Sequence, residues 1–150
     1  MQTKRNRISP EDRLRVLNRC SGHCAYCGIE LSMKDMQVDH YIPLELSCIA
    51  EEHMDAVDSI DNYLPACRSC NNYKSSMNIE KFRLSVTRFH DVLMRDSVTY
   101  KNAVRFGQVK PQQHVQQFYY EKIKVHIPAM DWDADFRLML HRRYFKEKED

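Results

Sequence analysis

Two stretches decide the reading of this chain: CAYCGIELSMKDMQVDHYIPLE, Cys24 to Glu45, and NYLPACRSCNNYKSS, Asn62 to Ser76. Each holds a cysteine pair of C-x-x-C spacing, and Asp39-His40 lies between the pairs. A C-x-x-C turn aims two thiolates at one point, and two such turns supply the four sulfurs of a closed tetrahedral zinc site. Cys24, Cys27, Cys67 and Cys70 are therefore read as the ligands of a structural Zn2+. With every position filled by sulfur, the ion has no place for water and holds the fold without doing chemistry. The intervening residues 28–66 exceed the loop of a minimal zinc finger, so the clamp grips whatever they form. The alternative, unmetallated or redox cysteines, lacks the βαβ surroundings of a thioredoxin motif.

Outward from the clamp, SPEDRLRVLNRC reads as a helix with Ser9 as N-cap, Pro10 in its first position, Asp12 three residues past the cap, and Leu14 and Leu17 on one face. MQVDHYI, residues 36–42, has the character of a strand that Pro43 ends, and NYLPAC is a second extended piece. RSCNNYKSS opens a turn or short helix. Asn78 caps a long helix whose apolar face is Ile79, Phe82, Val86, Phe89 and Leu93. VQQFYYEKIKVHIP is rich enough in aromatic and β-branched residues for a strand or hairpin arm, and DWDADFRLMLHRRYF suggests a last helix.

The chain of 150 residues, 43% hydrophobic with only three Gly, reads as folded throughout. One domain over 1–150 is the simplest organisation; the division considered is a core at 9–95 and an accessory extension at 96–150. No apolar run approaches the roughly 20 residues that cross a bilayer, and no signal-peptide pattern follows the charged start, so a soluble intracellular protein is expected. In a reducing compartment the six cysteines are metal ligands or core residues rather than disulfides. Cys20 reads as a buried thiol, and Cys48 with His53 lacks the partners for a second metal site. The formal net charge of +2 hides an uneven layout: Lys4, Arg5 and Arg7 open the chain, whereas Glu45 to Asp61 is acidic without a single base.

Neighbours on a strand point to opposite faces, so Asp39 and His40 serve one site only if the strand ends there, which Pro43 favours. A zinc clamp would bring Asn62 and Asn71 near them. An imidazole can take a proton from water, and a carboxylate with an amide oxygen suits a hard cation such as Mg2+. That set of groups fits hydrolysis of a phosphodiester.

The order C-x-x-C, D-H, N, C-x-x-C-N-x-x-K, from Cys24 to Lys74, resembles the HNH endonuclease family with its ββα-metal motif, over about a third of the chain. The resemblance implies that His40 is the general base, that Asp39 and Asn71 bind one catalytic divalent ion, Mg2+ or Mn2+, and that Asn62 stabilises the loop orienting the base. It implies that Lys74 meets phosphate; Arg68 is the second candidate for DNA contact. It also implies a cytoplasmic enzyme, prokaryotic or phage-encoded, and leaves restriction, mobile-element spread and phage biology open as its role. One such centre cuts one DNA strand at a time, so double-strand cleavage calls for a homodimer or two visits. The expected fold is α+β: a treble-clef-like, His-Me finger core stapled by zinc, with an N-terminal helix and a C-terminal helix and strand extension. The stretch 44–61 is expected to be a helical excursion governing access or a partner contact. The alternatives are a noncatalytic, zinc-containing nucleic-acid-binding module and a protein-interaction adaptor.

Overall fold

The computed structural model describes residues 7–44, 55–112 and 116–132. They divide into two compact units, one formed by the described residues up to Asn78 and from Phe118 on, the other by Ile79–Gln117. The first unit is a small α+β fold around a two-stranded antiparallel sheet.

Helix α1, Pro10–Arg19, starts as its sequence predicts: the Ser9 hydroxyl accepts the Asp12 N–H at 3.0 Å, and proline fills the first turn, where no N–H is needed. Its inward residues are Val16, Leu17 and Cys20, whereas Leu14 is 48% exposed, so the buried stripe lies one position round from the expected Leu14–Leu17 face. Helix α1 packs on the sheet. Arg19 near its end donates to the carbonyls of Ile60 and Tyr63, at 2.5 and 2.6 Å, fixing the approach to the second strand.

Strand β1, Gln37–His40, pairs with β2, Tyr63–Ala66, in the register Gln37↔Ala66, Val38↔Pro65, Asp39↔Leu64, His40↔Tyr63. Pro65 is tolerated because the sheet has only two strands, and its carbonyl accepts the Ala25 N–H at 2.8 Å, tying β2 to the first cysteine turn. A short 3-10 turn, Ile60–Asn62, precedes β2, and helix α2, Arg68–Lys74, follows it directly.

The segment read as a strand or hairpin arm forms no strand among the described residues; it holds one short helical turn. Helix α6, Tyr119–Lys122, returns to the first unit, where the N–H groups of Tyr119 and Tyr120 bond to the carbonyls of Tyr26 and Ala25 at 3.1 and 2.8 Å. Glu121 accepts the Phe118 N–H at 2.7 Å, the reciprocal half of a helix-capping arrangement. The aromatic residues that suggested a strand pack as a cluster: Phe118 meets Tyr26 edge-on at 5.3 Å, and Tyr120 lies edge-on to both Tyr26 and Tyr41 at 6.4 Å. β-propensity reports how well such side chains fit a half-buried surface, and here a packed helical turn offers one. Residues 128–132 are again helical; the rest of the expected last helix lies outside the described residues, as does 45–54 of the acidic stretch.

In the second unit the expected long helix is two: α3, Ile79–Thr87, and α4, Phe89–Asp96, followed by α5, Val98–Arg105. The hydroxyls of Ser85 and Thr87 bond back to the carbonyls of Lys81 and Arg83, at 3.0 and 2.9 Å, a pattern that bends helices. The predicted face is correspondingly split, with Ile79 and Phe82 buried but Phe89 and Leu93 exposed. Among the described residues no helix is long and apolar enough to cross a membrane.

Candidate functional site

The first cysteine turn is shaped by its backbone: the Cys24 N–H bonds to the Ile29 carbonyl at 2.8 Å, and the Gly28 N–H returns to the Cys24 carbonyl at 3.0 Å. Gly28 takes φ of 78°, a left-handed conformation that costs side-chain-bearing residues strain. In the second turn Cys67 caps α2, and its sulfur accepts the Cys70 N–H at 3.3 Å. The four sulfurs of Cys24, Cys27, Cys67 and Cys70 lie within 4.8 Å of one another. Zn–S bonds of about 2.3 Å in a tetrahedron put sulfurs roughly 3.8 Å apart, so this cluster fits a Zn2+ ion with little adjustment.

The electrostatics point the same way. Cys24 is held down to about 4, first because its thiolate accepts a hydrogen bond from the Cys70 thiol. That bond pushes Cys70 up in return, and burial drives Cys27 up to about 11. Four sulfurs this close cannot all ionise without a cation among them. Cys20, adjacent in sequence, is pushed up to about 12 by burial, so it stays a thiol of the core and outside the cluster.

The clamp places Asp39 and His40 at the end of β1, where both line a cleft of about 400 Å³ together with Asn71, Pro43 and Ser75. Each has a different set of partners, as alternate strand faces require. Asp39 is buried; its Oδ2 accepts the Tyr26 hydroxyl and pairs with Lys74 Nζ at 3.0 Å. Burial, with the Asp39 charge beside it, pushes Tyr26 well above its ordinary range, so the phenol remains a donor. His40 is partly buried, with Nε2 at 2.8 Å from Asp58 Oδ1 and its ring edge-on to Tyr63 at 5.0 Å.

Asn62 is fully buried and fully engaged. Its Oδ1 accepts the Ile42 N–H at 2.8 Å, and its Nδ2 donates to the carbonyls of Ile42 and Val57 at 2.9 and 2.8 Å. It therefore fastens the loop that follows His40 and cannot reach a substrate. Asn71 stands in the first half of α2 facing the cleft. A carboxylate oxygen and an amide oxygen on one cleft wall are hard donors suited to Mg2+ or Mn2+, with water or phosphate oxygens completing the shell.

Lys74 departs from expectation. It is 0% exposed, and its ammonium is spent on Asp39 and on the His40 carbonyl at 2.8 Å, so it holds the two site residues together and has no path to a phosphate. Arg68, at the start of α2, is exposed. Of the four tyrosines near the motif, Tyr26, Tyr41 and Tyr63 are buried and only Tyr73 is open. Sequence reasoning missed Asp58 and Tyr63. The cross-strand register, with Tyr63 opposite His40, was the available signal for Tyr63.

Residues 24–77 match the model of the HNH endonuclease family. Among curated proteins none is similar at a significant level. Among solved structures the chain is similar to the crystal structure of the Type II-C Cas9 enzyme from Actinomyces naeslundii, with a TM-score of 0.43 and 24% identity over 55% of this chain. The similarity spans 9% of that chain's length.

Proposed function

We propose that this protein is a metal-dependent endonuclease that hydrolyses phosphodiester bonds of DNA one strand at a time, with His40 as general base. The observation that carries the reading is the meeting of Asp39, His40 and Asn71 on one cleft, within the stretch that matches the HNH family. His40 takes a proton from the attacking water, the water oxygen bonds to phosphorus, and the P–O3′ bond breaks. The 3′ oxygen leaves with a proton from solvent, giving a 5′-phosphate and a 3′-hydroxyl. Asp39 and Asn71 would hold a divalent ion, Mg2+ or Mn2+, which when bound offsets the negative charge that grows on the phosphate oxygens. Asn62 keeps the loop after β1 in place, and the zinc cluster keeps β1 and α2 on the same cleft. Arg68 is proposed to contact the DNA backbone.

A second reading rests on Lys74: its ammonium already neutralises Asp39, as suits a zinc module that binds nucleic acid without cutting. Plasmid nicking separates the two. In Mg2+ or Mn2+ the wild-type chain is expected to convert supercoiled to open-circular DNA, and His40→Ala to lose about 10²–10⁴-fold of that rate while keeping zinc and fold. Equal nicking by both proteins, or DNA binding with no nicking by either, contradicts the nuclease reading.

A further inference from the structure

The geometry points to Asp58 as the positioning residue of His40, fixing which ring nitrogen is free to accept a proton; this rests on the nuclease reading above. Asp58 lies in the acidic stretch that precedes β2, outside the residues the motif names. Its place is built from two directions. The Asn62 amide binds the Val57 carbonyl and both backbone groups of Ile42, so the residue after Val57 is held beside the end of β1. The register then sets Tyr63 opposite His40, and the Tyr63 hydroxyl donates to Asp58 Oδ1 at 2.8 Å. The same oxygen receives His40 Nε2 at 2.8 Å. The paired side chains are 19% and 13% exposed, so water competes little for this bond.

Donor and acceptor roles follow from the chemistry of each group. An ionised carboxylate only accepts. Tyr63 supplies a proton of its own, since burial first and Asp58 second push its phenol above the ordinary range. Nε2 must therefore carry hydrogen toward Asp58, and in the neutral ring that leaves Nδ1 as the lone pair. The edge-on Tyr63 ring, 5.0 Å from the imidazole, restricts its rotation. An acid behind a histidine that selects its tautomer and orientation is the arrangement that makes imidazoles effective bases. The acidic stretch thus contributes to the cleft a group that acts through His40.

The test uses the full-length zinc-loaded chain labelled with 15N-histidine. Long-range 1H–15N correlation should show His40 with hydrogen on Nε2 and a bare Nδ1 in the wild type, and a mixed or reversed tautomer in Asp58→Ala. Zinc content and circular dichroism check folding, and Asp58→Asn, of equal size, replaces the alanine variant if that one loses zinc. In plasmid nicking Asp58→Ala should lower kcat about 10- to 100-fold with KM unchanged, and cost nothing further in a His40→Ala background. Tyr63→Phe should give a smaller loss in the same direction. Hydrogen on Nδ1 in the wild type, a tautomer indifferent to both Asp58 variants, or a further loss in the His40→Ala background overturns the assignment. The spectrum needs no DNA, so failure of the nuclease reading, seen as equal nicking by wild type and His40→Ala, is told apart from failure of this one.

Discussion

At the scale of single residues, the site depends on a lysine that never meets solvent. Lys74 and Asp39 are both buried, and each supplies the counter-charge that lets the other stay there. Removing one partner of such a pair strands the other's charge in a medium that solvates it poorly. Lys74→Met should therefore destabilise the fold by about 3–5 kcal/mol, read as a lowered denaturation midpoint in urea. A midpoint like the wild type's would show that Asp39 does not need the pair. The residue's burial was hidden from the sequence for a physical reason: the resemblance set Lys74 against phosphate, and only the packing of α2 on β1 buries it. That His40, Asp39 and Asn71 share one cleft was legible because their order is local to the motif. Asp58 was not, since its partner lies across a loop and is brought close only by the Asn62 amide.

At the scale of elements, the cysteine turn and the returning helix α6 share one tight contact. A Cβ placed on Gly28 would sit 2.8 Å from Cδ2 and 3.3 Å from Cγ of Tyr119. It would also have to hold φ at 78°. Gly28→Ala thus meets two penalties, backbone strain of about 1 kcal/mol and displacement of a packed ring. The expected outcome is a loss of about 2–3 kcal/mol in thermal or urea unfolding; truncating the ring in Tyr119→Ala should recover part of it in the double variant. If the two losses simply add, the ring contact is not the cause. This pairing shows where local reading stops. The helix cap at Ser9, the turn at the cysteines and the two short strands follow from neighbouring residues. The fate of Phe118 to Lys122 is set by carbonyls of residues 25 and 26, far away in sequence. The break near Arg88 had a local signal in Ser85 and Thr87, but the apolar periodicity through Leu93 outweighed it.

At the scale of the whole molecule, a metal ion held by the four clustered cysteines would substitute for core. Among the described residues the sheet has only two strands, and the cleft is lined from both β1 and α2. Structural zinc in small domains contributes folding free energy outright. Stripping the metal with a strong chelator should therefore abolish the cooperative unfolding transition of the unit that holds the site, and Zn2+ should restore it. Cys70→Ser should reproduce the loss without a chelator. A stripped protein with an unchanged unfolding curve would mean that the four sulfurs are a core cluster and no more. The clamp was the most legible feature of the sequence, because C-x-x-C spacing constrains geometry by itself. The partition into a unit carrying the site and the unit Ile79–Gln117 was not, because the chain leaves the first unit at Asn78 and re-enters it at Phe118.

In the proposed reading, the imidazole at the end of β1, backed by Asp58 and sharing a cleft with Asp39 and Asn71, hydrolyses DNA. Its most direct test is to sequence and chemically identify the ends of DNA cut by the purified full-length chain in Mg2+ or Mn2+. The expected result is metal-dependent breaks in single strands, each ending in a 5′-phosphate and a 3′-hydroxyl, formed about 10²–10⁴-fold more slowly by His40→Ala. The same ends produced by His40→Ala at the wild-type rate, or no breaks from the wild type with either metal, would overturn the nuclease reading.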